Sequence, residues 1–233
     1  VKQEETADPN MATSDKMIGS SAAWAAGYTG AGSRIAIIDT GADVDHPSLD
    51  PDALKYALQG SNATIMTEAD LTDEVLNQLN AYTRKAGLTA ADFYVNEKIP
   101  FGFNYVDADT DITHDNDTQG DHGSHVTGIA AGNRFVKDEA GNYVAALDSV
   151  MTQGVAPDAQ ILTMKVFGKG GGAYDSDYMV AIEDAMVLGA DAANLSLGGS
   201  FPGYSEYTEE KYRHILDEIV GSGMVVTISA GNS

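Results

Sequence analysis

Short apolar runs alternate along this chain with longer stretches of helical spacing. Arg34–Asp39, Ile161–Phe167, Ala193–Leu197 and Met224–Ser229 are compact and rich in β-branched residues, as buried strands are. Ser176–Leu188 and Tyr207–Val220 place apolar residues at helical intervals, and Ser20–Ala26 predicts a short helix closed by Gly27. Strands alternating with helices imply an α/β fold, a three-layer αβα arrangement with a mostly parallel sheet covered on both faces. One region breaks the rhythm. Residues 52–119 hold a helical stretch, Glu68–Lys85, with Thr67 as its N-cap, then a strand-like segment, Phe101–Val106, and an acidic run from Asp107 to Asp121. This region reads as an insertion on the core sheet. Val1–Asp15 is polar and acidic and reads as an arm, and no internal repeat is visible.

Composition narrows the picture in three ways. With 233 residues and 43% hydrophobic content, the chain supports one sizeable core. Its 35 acidic against 13 basic residues, a formal net charge of -22, argue against nucleic acid or an anionic membrane as partner. A solvated acidic surface is the ordinary reading of that charge, and attraction of basic substrates is the functional one. The absence of cysteine excludes disulfides and thiolate metal sites, and no stretch approaches the roughly 20 apolar residues of a membrane span. The start at Val1, with no signal-like segment, fits a mature form whose leader has been removed and equally a trimmed chain.

Three segments carry candidate chemistry. Asp39-Thr40-Gly41 follows a buried strand, where reactive groups gather in α/β sheets, and an imidazole Nδ1–H would suit its carboxylate. His122 opens Gly123–Gly132, a run of small residues suited to a helix packed against the sheet, with Asp121 as candidate N-cap. Gly231-Asn232 ends the last strand, as a turn or as an amide donor to a developing oxyanion. Each segment has a rival reading. Ile37–Asp43 is similar to the retroviral-type aspartic protease motif, but those folds are nearly all β and need a second aspartate. His122 and His125 stand i, i+3, as a metal pair can, yet no Glu lies between them, and a buried structural role is the ordinary reading of His125. Asp107, Asp109, Asp111, Asp115 and Asp117 alternate as calcium ligands do. However, Ile112 takes the turn-glycine place and Thr118 the bidentate-glutamate place, so a flexible acidic loop competes with calcium.

Taken together, these segments resemble the subtilisin-like serine proteases, the subtilases. His122-Gly123-Ser124-His125-Val126-Thr127-Gly128 resembles the family's histidine motif. Gly154-Val155-Ala156-Pro157 with Ile161–Val166, Asn194–Gly199 and Ala230-Gly231-Asn232 follow in family order. Ile99–Tyr105 and the long insertion resemble the larger cell-envelope proteinases of the lactocepin and C5a-peptidase type. The resemblance implies the N-terminal part of a catalytic domain, subtilisin-like and incomplete at its C-terminal end. It implies Asp39 orienting His122, His122 as general base, and Asn232 as oxyanion donor. Gly170, Gly171, Gly172 and Ala173 would face Ser196, Leu197 and Gly198 as two backbone edges around an extended protein or peptide substrate. The family's nucleophile segment is absent, so the serine is expected on the remaining C-terminal segment or on a companion chain. This chain alone is then expected to be inactive, to expose an apolar face and to be unstable. Catalysis would need no cofactor. Ser48 replaces a common calcium ligand, which leaves structural calcium at Asp107, Asp109 and Asp111 as an open expectation. A secreted or surface-attached endopeptidase is the implied function, and a non-catalytic module that binds extended peptide is the alternative.

Overall fold

The computed structural model describes residues 11–115, 117, 118, 120–198 and 206–230, with side chains described for 14–115, 117, 118, 120–198 and 209–230. The strands are β1 (Arg34–Asp39), β2 (Phe101–Asn104), β3 (Phe135–Lys137), β4 (Tyr143–Ala145), β5 (Gln160–Lys165), β6 (Ala192–Leu195) and β7 (Val225–Ile228). The α-helices are α1 (Met11–Ile18), α2 (Ser20–Ala25), α3 (Pro51–Ala57), α4 (Asp73–Leu76), α5 (Asn80–Arg84), α6 (Ala90–Phe93), α7 (His122–Ala131), α8 (Ala146–Ser149), α9 (Asp175–Val187) and α10 (Glu206–Ser222).

A five-stranded sheet in the order β2-β5-β1-β6-β7 pairs in parallel throughout, with β1 at its centre. Side chains of a strand alternate between faces, so β1 feeds two cores. Ala36 and Ile38 join Leu162, Met164 and the α9 residues Met179, Ala181 and Ile182 on one side. Ile35 and Ile37 join Ile161 with Val126 and Ala131 of α7 on the other. This is the three-layer α/β architecture that the alternating pattern predicts. Asp39 is in register with Lys165, and Ile37 with Asn194, so the carboxyl ends of β1, β5 and β6 open on the same rim of the sheet.

The stretch predicted as one helix from Glu68 to Lys85 is instead three pieces. A 3-10 turn at Glu68–Asp70 closes on itself because Asp70 accepts from both the Thr67 amide and the Thr67 hydroxyl. Thr72 then starts α4 afresh by accepting from Val75 N, and Asp184 starts α5 by accepting from Asn80 N at 2.7 Å and Ala81 N at 2.9 Å. Each new acceptor satisfies amides that a continuous helix would leave to its own carbonyls. Asp184 also accepts from the Tyr105 hydroxyl. Burial pushes its carboxyl above the usual range, and these donors pull it back. Leu71, Leu76, Leu79, Ala81 and Phe93 share the cluster of the main sheet, which ties residues 52–119 to the core.

Two further departures are local. Met11–Asp15 begins a helix where an arm is expected, while residues 1–10 lie outside the described part. The β3–β4 hairpin is unannounced in the sequence because its strands are only three residues long. It is held by the Asp138 carboxylate, which accepts from Ala140 N and Asn142 N, and by Tyr56 packed against Phe135 and Tyr143.

Candidate active site

The carboxylate of Asp39 is fully buried at the end of β1. Its Oδ1 accepts from the Thr40 amide at 2.7 Å and lies 2.7 Å from His122 Nδ1. The His122 side chain remains 52% exposed, because it stands at the first position of α7. One ring nitrogen is therefore held by a buried anion while the opposite ring edge turns toward solvent. Nε2 is then the ring nitrogen that Asp39 does not engage.

The close approach of α7 to β1 depends on two glycines. A Cβ on Gly123 would lie 2.2 Å from Gly41 O and 3.1 Å from Asp39 Oδ1. One on Gly41, where φ is +109°, would lie 2.2 Å from Ile112 O, the acceptor of the Ala42 amide. A side chain at Gly123 would push α7 and its imidazole away from the carboxylate, and one at Gly41 would displace the segment that carries Ile112.

Thr40 does more than permit the turn that the sequence suggests. Its hydroxyl accepts from Gly123 N at 2.8 Å, so it satisfies a first-turn amide of α7 from another element. Asp121 stands at the N-cap position but makes no side-chain cap bond, which corrects the expectation placed on it. Ser124 accepts from Asp43 N at 2.7 Å and pins the same helix turn to the loop after β1. His125 is exposed, contrary to the buried structural role expected of it, since it points away from the sheet that receives Gly123 and Thr127.

The predicted substrate edges both lie at the carboxyl rim. Gly170, Gly171, Gly172 and Ala173 form an exposed to half-buried loop between β5 and α9, turned by Gly171 N donating to Gly168 O. Ser196, Leu197 and Gly198 follow β6. Ser196 Oγ accepts from Asn194, and Leu197 O accepts from Ser229 Oγ at 2.5 Å. Asn232 lies outside the described residues.

Each of the three carboxylates considered for calcium closes a local turn. Asp107 accepts from Asn104 Nδ2 and Lys169 N, Asp109 from Asp111 N, and Asp111 from the amide and hydroxyl of Thr113. The Thr113 hydroxyl is the largest influence holding the Asp111 carboxyl below its ordinary range. Among the described residues, no group of three or more His, Cys, Asp or Glu converges as metal ligands would.

Sequence reasoning passed over Lys165. It ends β5 beside Asp39, is buried, and donates from Nζ to Thr40 O and to Asp117 Oδ2, each at 2.5 Å. The available signal is a lysine at the end of a strand whose other residues are all uncharged and buried. Asp117 was counted only as part of an acidic run.

Known proteins are similar to this chain over most of its length. The Bacillus subtilis minor extracellular protease Vpr is 30% identical over 237 residues, covering 99% of this chain and 21% of Vpr. A Lactococcus lactis PI-type proteinase is 33% identical over 233 residues, covering 97% of this chain and 10% of that protein. A Streptococcus pyogenes C5a peptidase is 29% identical over 205 residues, covering 87% of this chain and 15% of the peptidase. The chain thus spans about a fifth or less of the length of these relatives. Among the described residues, no helix is long and apolar enough to cross a membrane. The profile of the Subtilase family matches residues 30–233, and the chain belongs to that family.

Proposed function

We propose that this chain supplies the acid and base of a serine endopeptidase, with Asp39 orienting His122 and His122 moving the proton. The single observation that carries the reading is the 2.7 Å contact between His122 Nδ1 and a carboxylate with no solvent exposure. With Nδ1–H donated to Asp39, Nε2 is the basic nitrogen. It takes the proton as a serine oxygen bonds to the substrate carbonyl carbon. It returns that proton to the amine as the C–N bond breaks, and water then releases the acyl group by the same two steps. The serine lies beyond the residues of this chain, and Asn232 is assigned as donor to the oxyanion. Gly170–Ala173 and Ser196–Gly198 are assigned as the main-chain edges for an extended peptide, which gives affinity through backbone pairing.

One relative is named an extracellular protease and the others a proteinase and a peptidase, which supports a secreted or surface-attached protein that acts on protein substrates. Labelling of the full-length protein with an organophosphate tests the assignment. The expected result is one modified serine, with labelling lost in His122→Ala. An unlabelled protein that still binds extended peptide would instead establish the non-catalytic binding module.

A further inference from the structure

Lys165 and Asp117 form an ion pair of 2.5 Å in which the side chains are 1% and 2% exposed. A pair so buried costs more in desolvation than an apolar replacement of similar volume, so its presence calls for an explanation other than stability. Its surroundings supply one. Lys165 shares a sheet face with Thr163 and Ile161 by strand alternation, and Ile161 packs in the cluster that includes Val126 and Ala131 of α7. Asp39 shares a face with Ile37 of the same cluster, and it is the register partner of Lys165 on the adjacent strand. The two residues therefore stand side by side on neighbouring strands, with both side chains leaving the same face of the sheet.

The second contact of the ammonium is with the backbone that carries the site. Lys165 Nζ donates to Thr40 O, while the Thr40 amide donates to Asp39 and the Thr40 hydroxyl accepts from α7. Every polar group of Thr40 is thus engaged, and these three bonds link it to Asp39, α7 and β5. Asp117 belongs to the acidic segment between β2 and α7, so the pair also fastens the segment that leads into His122.

We propose that the buried Lys165–Asp117 pair is a positioning and charge-balancing device for Asp39 and His122. Lys165 clamps the Thr40 carbonyl, and Asp117 neutralises the ammonium so that Asp39 is left to the imidazole. Without Asp117, the bare ammonium would turn to Asp39 and compete with His122. Without Lys165, Asp117 would be left as a buried, unbalanced anion in the segment that leads into His122. Of the other titratable groups on the neighbouring elements, Asp121 stands at the N-cap of α7, Asp43 and His114 meet Ser124 of that helix, and Lys169 pairs with Asp111. None of them is altered in the test.

The proposal rests on the endopeptidase reading, and the test separates the two. Asp117→Asn, Lys165→Met and the double variant are made in the full-length protein and assayed on a chromogenic peptide across pH. Thermal unfolding is recorded alongside. In the single variants kcat is expected to fall about 10–100-fold with KM within about threefold, the size usual for partners that orient a reactive group. The acid limb of kcat/KM is expected to move down by about one unit in Asp117→Asn and up by about one unit in Lys165→Met, because uncompensated charges of opposite sign act on the imidazolium. The double variant is expected to recover the wild-type acid limb but not kcat, since the clamp on Thr40 stays missing.

Folded single variants whose acid limbs stay put or move the same way overturn the proposal. If the single variants do not fold, the neutral double variant decides, and a kcat within twofold of wild type overturns it. A wild-type protein that cleaves no peptide sinks the endopeptidase reading instead. Proton NMR titration of His122 in the same variants then reads the opposite shifts without turnover.

Discussion

β1 and β7 are similar as sequences, Arg34-Ile-Ala-Ile-Ile-Asp39 against Val225-Val-Thr-Ile228, yet they sit in very different surroundings. In β1 the last four residues are buried, and the strand is flanked by β5 and β6 and covered by helices on both faces. In β7, at the edge of the sheet beyond β6, Val225 and Ile228 are each 62% exposed. An apolar strand sequence states a capacity for burial, and its neighbours decide whether the capacity is used. The reactive pair has its full support within the described residues, because Asp39 sits on the covered strand. The Ser196–Gly198 edge follows β6, beside the strand that stays open.

The sharpest way to test that contrast is to remove the pair itself. In the full-length protein, His122→Ala is expected to lower kcat by about 10⁶-fold and Asp39→Asn by about 10⁴-fold, the losses that the corresponding changes cause in subtilisin and in other serine proteases. Steady-state kinetics on a peptide substrate checks both, and a loss below tenfold for either would end the assignment.

The second test compares the strands directly. Ile37→Ala on β1 is expected to cost about 2–5 kcal/mol of unfolding free energy, since the side chain is 1% exposed and leaves a cavity. Ile228→Ala on β7 is expected to cost less than about 0.5 kcal/mol. Equal losses in denaturant titrations would show that β7 is covered in solution.

The third compares two glycines on α7. Gly123→Ala places a methyl 2.2 Å from Gly41 O and is expected to cost about 1–3 kcal/mol or more, with a fall in kcat as the imidazole moves. Gly128→Ala meets nothing within 4 Å and is expected to gain up to about 1 kcal/mol from helix propensity. Thermal melts of the two variants should diverge in sign.

A further test concerns pH. Lys98 is fully buried, and its Nζ donates to Pro157 O and Ala159 O. Burial pushes its pKa from 10.5 down to about 7, only partly opposed by Asp158. Between those values the unfolded chain binds more protons than the folded one, so this group makes stability rise with pH across that window. Below about 7 both states carry the charge, and the full cost remains. Subtracting the stability of Lys98→Met from wild type should therefore give a difference that grows from about pH 7 to about pH 10. A flat difference would mean that the two carbonyls hold the ammonium charged throughout.

The sequence was legible where a local pattern has one physical solution. Apolar runs such as Arg34–Asp39 announced their strands. The small residues after His122 announced a helix that packs closely, because only small side chains permit that approach. The family was also legible, as motifs in family order. Reading failed where distant groups compete with local ones. Glu68–Lys85 has helical spacing, but Asp70, Thr72 and Asp184 each capture amides and restart the chain. Asp121 is a suitable cap by type, yet Thr40 from the end of β1 supplies the bond to Gly123. His125 follows the histidine pattern but lies on the outer side of α7.

By itself, then, the sequence determined the layered α/β class and the family. These depend on periodicity and residue type, which are local. The tertiary structure alone decided that Asp39 is fully buried, that two glycines let α7 meet it at 2.7 Å, and that Lys165 finds Asp117 below the rim. Those outcomes depend on which groups meet across 83 and 48 residues of chain, a separation at which no local pattern carries information.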